Sequence, residues 1–159
     1  MDDGLVIRPA VAGDAARLGE LAGGLVRFHH ATDPRRFLLM PDVERGYGKW
    51  LGREAQRDGA LVLVAAQGDE IVGYGYATLE ARDWDMLVDA HGALRDVFVD
   101  DAHRRAGVGA RLLDALLAEL DHRGAPRVLL STMVDNEPAK ALFASRGFRP
   151  TMVEMTRGG

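Results

Sequence analysis

Apolar residues recur along this chain at two different spacings, which predict alternating helices and strands. A spacing of three and four residues predicts one amphipathic helix over residues 14–25, where Gly23 and Gly24 would loosen or end it. The same spacing predicts a second amphipathic helix that opens near Gly107 and ends at Gly124. The apolar face of this second helix comprises Val108, Leu112, Leu113, Leu116, Leu117 and Leu120.

Short apolar or alternating runs predict the strands. These runs are residues 5–8, 61–67, 70–80, 93–100, 127–132 and 148–157. The second and third runs are joined by Gly68-Asp69 and should form an antiparallel hairpin.

Two further helices complete the predicted elements. Asp42 is a candidate N-cap for a helix that runs to about Gln56, and the run NEPAKALFASR predicts a short helix closed by Gly147. Pro34 and Pro41 predict an irregular stretch over residues 27–42.

The predicted order of elements is β-α-α-β-β-β-α-β-α-β. This order is typical of an α/β protein with a mixed sheet, antiparallel at its start and with a β-α-β unit at its centre. A chain of 159 residues, 47% of them hydrophobic, is long enough for one ordinary core. We therefore expect a single domain over residues 1–159.

Composition narrows the class of protein. With 24 acidic and 20 basic residues the formal net charge is −4, which argues against a nucleic-acid partner. The longest apolar run, residues 60–66, is far shorter than the roughly 20 residues that span a bilayer, so no membrane is expected. The amino-terminal run MDDGLVIRP has no signal-like apolar stretch, and we expect a cytoplasmic protein.

Metal and thiol chemistry are constrained by the same counts. The chain has no cysteine, which excludes a thiolate nucleophile and a cysteine-based zinc site. His29 and His30 are neighbours and so do not share a helix or strand face, and no other ligand pattern accompanies them. The sequence therefore predicts no metal.

The run HRRAGVGARLL, residues 103–113, carries the main chemical signal. A strand ends near Asp100, and the helix that follows leaves the N–H groups of its first turn without intrahelical partners. These groups carry a partial positive charge, and glycines at 107 and 109 remove side chains that would block an approaching anion. With Arg104 and Arg105 beside them, they predict a cradle for a diphosphate.

Two common phosphate-binding motifs fit this run poorly. The mononucleotide GK[ST] loop is absent, and the dinucleotide motif GxGxxG would need a glycine where Leu112 stands. A domain that binds ATP or NAD is therefore the weakest of three hypotheses.

The run instead resembles a known family. Arg104-x-x-Gly107-x-Gly109 is similar to the [RQ]xxGx[GA] signature of the GNAT superfamily of N-acetyltransferases, and the run NEPAKALFASRGF after Asp135 is similar to the family's second motif. The strand DVFVDDAH precedes the first motif as it does in that family. The resemblance covers nearly the whole chain and implies the GNAT fold, in which two central strands splay apart, here near Val99 and Ser131.

The resemblance implies acetyl-CoA as the co-substrate and assigns the residues that would hold it. The diphosphate would lie on the N–H groups of the cradle, the pantetheine arm would pair with the main chain of the preceding strand, and Asn136 and Phe143 would flank the arm. The cofactor-binding residues expected in this way are Val97, Phe98, Val99, Arg104, Arg105, Ala106, Gly107, Val108, Gly109, Ala110, Asn136 and Phe143.

The sequence departs from the family's pattern at two catalytic positions. Phe143 stands where many members carry a tyrosine that protonates the departing thiolate, so another donor serves or the thiolate leaves unassisted. Arg95 stands where members often carry a glutamate base. Asp96, His91 and Glu80 are the alternative bases, although strand alternation directs Asp96 to the opposite face unless a bulge intervenes.

The leading hypothesis is an acetyl-CoA-dependent N-acetyltransferase in which a primary amine attacks the thioester directly in a ternary complex. The alternative, suggested by Phe143 and Arg95, is a non-catalytic acyl-CoA-binding or regulatory module. The acceptor is a small-molecule or peptide amine, and residues 24–49 are expected to form much of its site. Members of the family are often homodimers, and no interface is evident in the sequence.

Overall fold

The computed structural model describes residues 3–159 and contains five strands and four α-helices in that range. In chain order the elements are β1 (Leu5–Pro9), α1 (Ala15–Thr32), α2 (Val43–Glu54), β2 (Ala60–Gln67), β3 (Glu70–Glu80), β4 (His91–Val99), α3 (Val108–His122), β5 (Val128–Leu130) and α4 (Glu137–Ser145). No helix within these residues is both long and apolar enough to cross a bilayer.

The strands form one mixed sheet in the order β1-β2-β3-β4-β5. Strands β1 to β4 are each antiparallel to the next, and β5 pairs parallel to β4 after the α3 crossover. The predicted α/β class, the antiparallel start and the central β-α-β unit are confirmed.

The sheet separates two apolar cores. The core beneath α3 is built on Leu112, Leu113, Leu116 and Leu120, with Leu117 partly buried at its margin. The core on the opposite face lies beneath α1 and α2 and contains Leu18, Leu21, Leu51 and the rings of Tyr74 and Tyr76. Alternate residues of β3 and β4 therefore belong to different layers, which decides which of their side chains meet at a site.

Helix α1 is longer than predicted and continues to Thr32, so the expected end at Gly23-Gly24 is wrong. A Cβ at Gly24 would lie 3.0 Å from Cζ of Phe98, and one at Gly23 would lie 3.0 Å from Cγ of Glu44. The two glycines let the helix pass close to β4 and α2, so they act through packing and not as a stop signal. The predicted irregular segment accordingly begins only at Asp33.

Helix α2 begins where expected, with Asp42 at the N-cap position, and ends at Glu54. The Asp42 side chain makes no capping hydrogen bond, and its φ of 56° lies in the left-handed region. Position 42 therefore marks the helix start through backbone geometry alone.

The predicted final strand over residues 148–157 is not formed. This segment is almost entirely exposed, and Arg36 forms an ion pair with Glu154 that ties it to the turn after α1. Pro150 lacks the N–H that a strand ladder requires, and the neighbouring β5 offers only three residues for pairing.

Candidate active site

A β-bulge in β4 organises the site. Tyr76 pairs with Asp96 and Ala77 pairs with Leu94, so Arg95 between them has no partner on β3. The extra residue brings Arg95 and Asp96 to the same side of the sheet, the side that faces α2. Strand alternation alone would direct Asp96 away from Glu80 and Arg95, and the bulge is the feature that brings it to their side of the sheet.

Asp96 lies at the floor of this cleft, partly buried. The Tyr74 hydroxyl donates a hydrogen bond of 2.9 Å to Oδ2 of Asp96. Burial raises the pKa of Asp96, while the Tyr74 hydroxyl and the charge of Arg95 oppose that rise in pKa. Within residues 3–159, no lysine, arginine or histidine lies within ion-pair distance of this carboxylate. A carboxyl in this setting is suited to exchanging a proton with a bound ligand.

The cleft opens into a cavity of about 520 Å³ between α2 and the two central strands. Residues from α2, β3 and β4 share its lining, which consists of Tyr47, Trp50, Glu54, Arg57, Tyr76, Thr78, Glu80, Arg95 and Asp96. The volume is in the range of small-molecule sites.

One side of the cavity carries a fixed ion pair from α2 and the turn after it. Arg57 donates from Nε and Nη2 to the two oxygens of Glu54, at 2.9 and 2.7 Å. The Tyr76 hydroxyl also donates to Oε2 of Glu54. These partners, Arg57 foremost, lower the pKa of Glu54, which is therefore ionised and already satisfied.

A second ion pair, from β3 and β4, lies at the mouth. The Thr78 hydroxyl donates to Oε1 of Glu80 at 2.6 Å, and Nη2 of Arg95 donates to the same oxygen at 2.9 Å. Nε of Arg95 donates to the Thr78 oxygen at 3.2 Å. The Thr78 hydrogen bond, with Arg95, lowers the pKa of Glu80, so this carboxylate is a poor proton acceptor.

An aromatic wall completes the cavity. The ring of Trp50 packs edge to face against Tyr47 at 5.6 Å and against Tyr76 at 5.2 Å between ring centres. Trp50 remains 37% exposed, so its ring is available to a ligand that enters the cavity.

The three candidate bases thus have different positions. Asp96 and Glu80 both line the cavity, whereas His91 is buried at the start of β4 and does not line it. Nδ1 of His91 lies 2.9 Å from the carbonyl oxygen of Asp89. Asp96 is the candidate whose carboxylate is not already held by a guanidinium.

On its other edge, β4 separates from β5. Pairing covers only Gly92–Leu94 with Val128–Leu130, so the strands part earlier than the predicted point near Val99 and Ser131. Residues 95–99 therefore have no strand partner on that edge. Unpaired main-chain groups of this kind accept an extended ligand as a further strand would be accepted.

The predicted cradle comes shortly after this unpaired segment in the chain, between β4 and α3. Arg105 and Gly107 have φ values of 67° and 78°, and α3 begins at Val108 without a side-chain cap. Alternation of left-handed and ordinary residues turns successive N–H groups toward one point, the geometry of an anion-binding nest.

Gly109 bears on whether acetyl-CoA fits this cradle. A Cβ at Gly109 would make only an ordinary 3.7 Å contact with Cγ2 of Val99, and one at Gly107 would have no atom within 4 Å. Packing within the protein does not require a glycine at position 109. The absence of a side chain there instead leaves open space on the outer side of the helix terminus. A diphosphate at the first turn of α3 fits that space.

The side chain of Arg104 turns away from the helix terminus. Its Nε donates to the carbonyl oxygen of Val99 at 3.2 Å, its Nη2 pairs with Asp101 at 2.9 Å, and its guanidinium lies 5.3 Å from the ring centre of Phe98. It lines a second cavity, of about 450 Å³, beside α1. The cradle is therefore formed mainly by main-chain groups.

The two residues predicted from the second motif lie on α4. Asn136 is the N-cap, and its Oδ1 accepts a hydrogen bond of 3.2 Å from the N–H of Ala139. Phe143 is partly buried against the α3 core and packs against Phe148 with ring centres 5.9 Å apart. The Oδ1 of Asn136 is thus engaged in capping α4, and the Phe143 ring makes apolar contacts.

The segment expected to form much of the acceptor site lies mostly outside the larger cavity, and that expectation stays a prediction. Of residues 24–49 only Tyr47 lines the larger cavity, while Gly24, Arg27 and Phe28 line the second one. Five residues that line the larger cavity were not predicted from the sequence: Trp50, Glu54, Arg57, Tyr76 and Thr78. The alternation of Tyr74, Tyr76, Thr78 and Glu80 along β3 was the available signal, since polar atoms on a buried strand face need partners.

One group of side chains has the composition of a metal site. Glu70, Asp100 and His103 bring ligand atoms within 4.8 Å of one another. Asp100 is already paired with the guanidinium of Arg17 at 2.8 Å, which lowers its pKa. A cation in the form of arginine thus already neutralises this carboxylate.

Comparisons with known sequences agree with the predicted family. The sequence profile of the acetyltransferase (GNAT) family matches residues 27–148. YsnE of Bacillus subtilis, an uncharacterized N-acetyltransferase, is 32% identical over 103 residues, which cover 62% of this chain and 63% of that protein. A mycothiol acetyltransferase of Nocardioides sp. is 29% identical over 154 residues, which cover 92% of this chain and 50% of that protein. The match therefore spans less than two thirds of either relative.

Solved structures show the same fold. A mutant of the BH1408 protein from Bacillus halodurans superimposes with a TM-score of 0.80 at 19% identity, covering 96% of this chain and 98% of that one. An aminoglycoside acetyltransferase from an uncultured soil metagenomic sample, meta-AAC0020, superimposes with a TM-score of 0.69 at 18% identity, covering 98% of this chain and 97% of that one. Since the family profile matches most of the chain and the folds agree, this chain belongs to the GNAT family of acetyltransferases.

Proposed function

We propose that the protein transfers an acetyl group from acetyl-CoA to a primary amine by direct attack in a ternary complex. The observation that carries the proposal is the bulge at Arg95. It brings Asp96 into a cavity on one side of β4, next to the segment whose opposite edge is unpaired and leads into the cradle. An amine held in the cavity and a thioester held along that edge would meet at the bulge.

The donor side of the proposal rests on main-chain groups. The first N–H groups of α3 would hold the diphosphate, and residues 97–99 would pair with the pantetheine arm. Acetyl-CoA supplies an activated acetyl group as a thioester. Free N–H groups at the strand separation would donate to the thioester oxygen, where negative charge develops.

Asp96 acts as the base in this proposal. An ammonium cannot attack, so Asp96 first accepts a proton from it, and the raised pKa of Asp96 brings the two groups closer in proton affinity. The hydrogen bond from Tyr74 holds Oδ2, which leaves Oδ1 for the amine. Attack by the neutral amine then forms the C–N bond and breaks the C–S bond, CoA leaves as its thiolate, and the second proton lost by the nitrogen passes to solvent.

The departing thiolate needs no acid from the second motif. Phe143 has no proton to donate, and a thiol has an ordinary pKa of roughly 8.5, so its anion is a tolerable leaving group near neutral pH. Phe143 is also the observation that favours the second candidate function, a module that binds acyl-CoA without turnover.

A transfer assay separates the two functions. Purified protein is incubated with acetyl-CoA labelled in the acetyl group and a broad panel of amines, and products are identified by mass spectrometry. Binding is followed by thermal shift with acetyl-CoA, CoA, ATP and NAD, because a ligand at 100 times its Kd stabilises by about 2.7 kcal/mol.

Labelled acetylated amine would support the proposal. A shift with acetyl-CoA and CoA but no labelled product would favour the binding module. An equal shift with ATP or NAD would contradict both functions.

A further inference from the structure

We infer that Arg95 is the specificity-determining residue for the acceptor, and that the acceptor is an α-amino acid whose carboxylate binds Arg95 while its amine binds Asp96. This inference deepens the proposed acetyltransferase function and rests on it. It starts from the bulge, which places a guanidinium and a carboxylate from adjacent residues on one wall of the same cavity.

An α-amino acid has the matching arrangement of charges. Its ammonium and carboxylate are attached to one carbon, so two neighbouring side chains of opposite charge can bind both groups together. Asp96 and Arg95 are close enough that the arginine charge lowers the pKa that burial raises in Asp96. Planar guanidinium groups are well suited to binding a carboxylate through paired hydrogen bonds.

Arg95 also retains a free donor. Its Nε and Nη2 are directed to Thr78 and Glu80, while no residue in the described range 3–159 accepts a hydrogen bond from its Nη1. The side chain is 49% exposed at the mouth of the cavity. Thr78 and Glu80 thus fix the orientation of the guanidinium and leave one edge of it for a ligand.

The other arginine of the cavity does not compete for this role. Arg57 donates from both Nε and Nη2 to Glu54, and its Nη1 lies against Gly59, where a Cβ would be only 2.9 Å away. Its side chain is 49% exposed, like that of Arg95, and the Nε–Nη2 edge of its guanidinium is engaged by Glu54. Of the two cavity cations, Arg95 is the one adjacent to Asp96, so a single small ligand can bind both groups together.

The remaining part of the acceptor is apolar. Glu54 and Glu80 are each paired with an arginine, so among the described residues that line the cavity Asp96 is the carboxylate without a paired cation. That balance favours one ammonium, and the wall of Tyr47, Trp50 and Tyr76 favours an aromatic or large aliphatic side chain. L-phenylalanine, L-tryptophan and L-leucine are suitable probes.

The test compares each amino acid with its carboxamide. L-phenylalaninamide has nearly the shape of L-phenylalanine but lacks the negative charge, and its less basic amine is more often neutral, which biases the comparison against the inference. For the wild type we expect kcat/KM to be about 10- to 100-fold higher for the acid, as for a lost charge-assisted hydrogen bond.

Arg95→Gln should lower kcat/KM for the acid by about that factor and leave the amide unchanged, and Arg95→Lys should restore part of the difference. Arg45→Gln, an exposed change on α2 outside the cavity, is the matched control and should alter neither value.

Several outcomes would overturn the inference. Equal rates for acid and amide in the wild type would do so without any variant, even if Arg95→Gln fails to fold. An equal loss for acid and amide in Arg95→Gln would assign Arg95 a purely structural role at Thr78 and Glu80. If acetyl-CoA binds but neither series is acetylated while other amines are, the acceptor class is wrong and the transferase function stands. If no amine is acetylated, the proposed function itself fails.

Discussion

The two halves of β4 are built differently, although they form one strand. His91–Leu94 is buried throughout, and its last three residues pair with β5 as well as with β3. In Arg95–Val99, Arg95 is exposed and unpaired, the four residues after it are partly buried and pair with β3 alone, and Arg95 and Asp96 contribute charged side chains to the cavity. The bulge at Arg95 is the boundary between the halves.

The difference shows how one extra residue changes the role of a strand. Before the bulge, Gly92–Leu94 pair with a strand on each side and their residues are buried, so that half supports the sheet. After the bulge, two polar side chains share one face and one backbone edge is free for pairing. We call His91–Leu94 the structural half of β4 and Arg95–Val99 the chemical half, and the bulge fixes where one ends and the other begins.

The largest effect is expected from Asp96→Asn. Removing the proposed base should lower kcat about 10²- to 10⁴-fold, the usual range for general-base catalysis, while acetyl-CoA binding is retained. Steady-state kinetics and a thermal shift with CoA measure the two quantities. A variant that keeps wild-type kcat would exclude Asp96 and return Glu80 to consideration.

The pH profile provides a second measure of the same residue. Because burial raises the pKa of Asp96, the active ionised form is lost as pH falls through that raised value. The wild type should show a decline of kcat/KM on the acidic side, at a higher pH than an ordinary aspartate with a pKa of about 3.9 would give. The residual activity of Asp96→Asn should lack this decline.

Gly109→Glu tests the end of the chemical half, at the cradle. A carboxylate in the first turn of α3 would occupy the anion position, so CoA affinity should fall about 10- to 100-fold, whereas the helix dipole keeps the fold stable. Gly109→Ala is the matched control, since its Cβ makes only an ordinary contact with Val99.

Calorimetry with CoA and the Tm without ligand are the measurements. If the CoA affinity of Gly109→Glu equals that of the wild type, the diphosphate does not bind at the first turn of α3.

The smallest effect on activity is expected in the structural half. A Cβ at Gly92 would lie 3.1 Å from both methyl carbons of Leu120, so Gly92→Ala should lower the free energy of unfolding by about 1–3 kcal/mol. Kinetic constants measured well below Tm should stay at wild-type values. Urea denaturation gives the stability change, and a parallel loss of kcat would show that the two halves of β4 are coupled.

Much of the fold could be predicted from the sequence because periodicity reports directly on burial. The α3 face, the β2–β3 hairpin and the β-α-β unit all follow from regular apolar spacing, and the structure has them. The end of α1 and the final strand were wrong for a shared reason. In both places the local preference of the sequence is decided by neighbouring elements. Close packing keeps Gly23 and Gly24 within a helix, and the run after Phe148 has no long strand to pair with.

The site could be predicted only where it is local in sequence. The predicted cradle is one continuous run, so its glycines indicate it from the sequence alone; Gly107 has the left-handed φ that a nest requires, and binding of a diphosphate there stays a prediction. The cavity is lined by residues of α2, β3 and β4, which are far apart in the sequence. Its composition depends on the bulge at Arg95, which no residue type in the sequence predicts. Asp96 was therefore one of three alternatives, and the aromatic wall was not identified.

The main-chain character of the cradle has a consequence in evolutionary terms. Backbone N–H groups are present whatever the side chains are, so sequence drift around Arg105 and Ala106 leaves a site of this kind intact as long as the strand–helix junction is kept. The cavity beside Asp96 is made of side chains, and each substitution there redraws its chemistry. Selection acting on such a chain can change the acceptor by single steps while the donor stays the same.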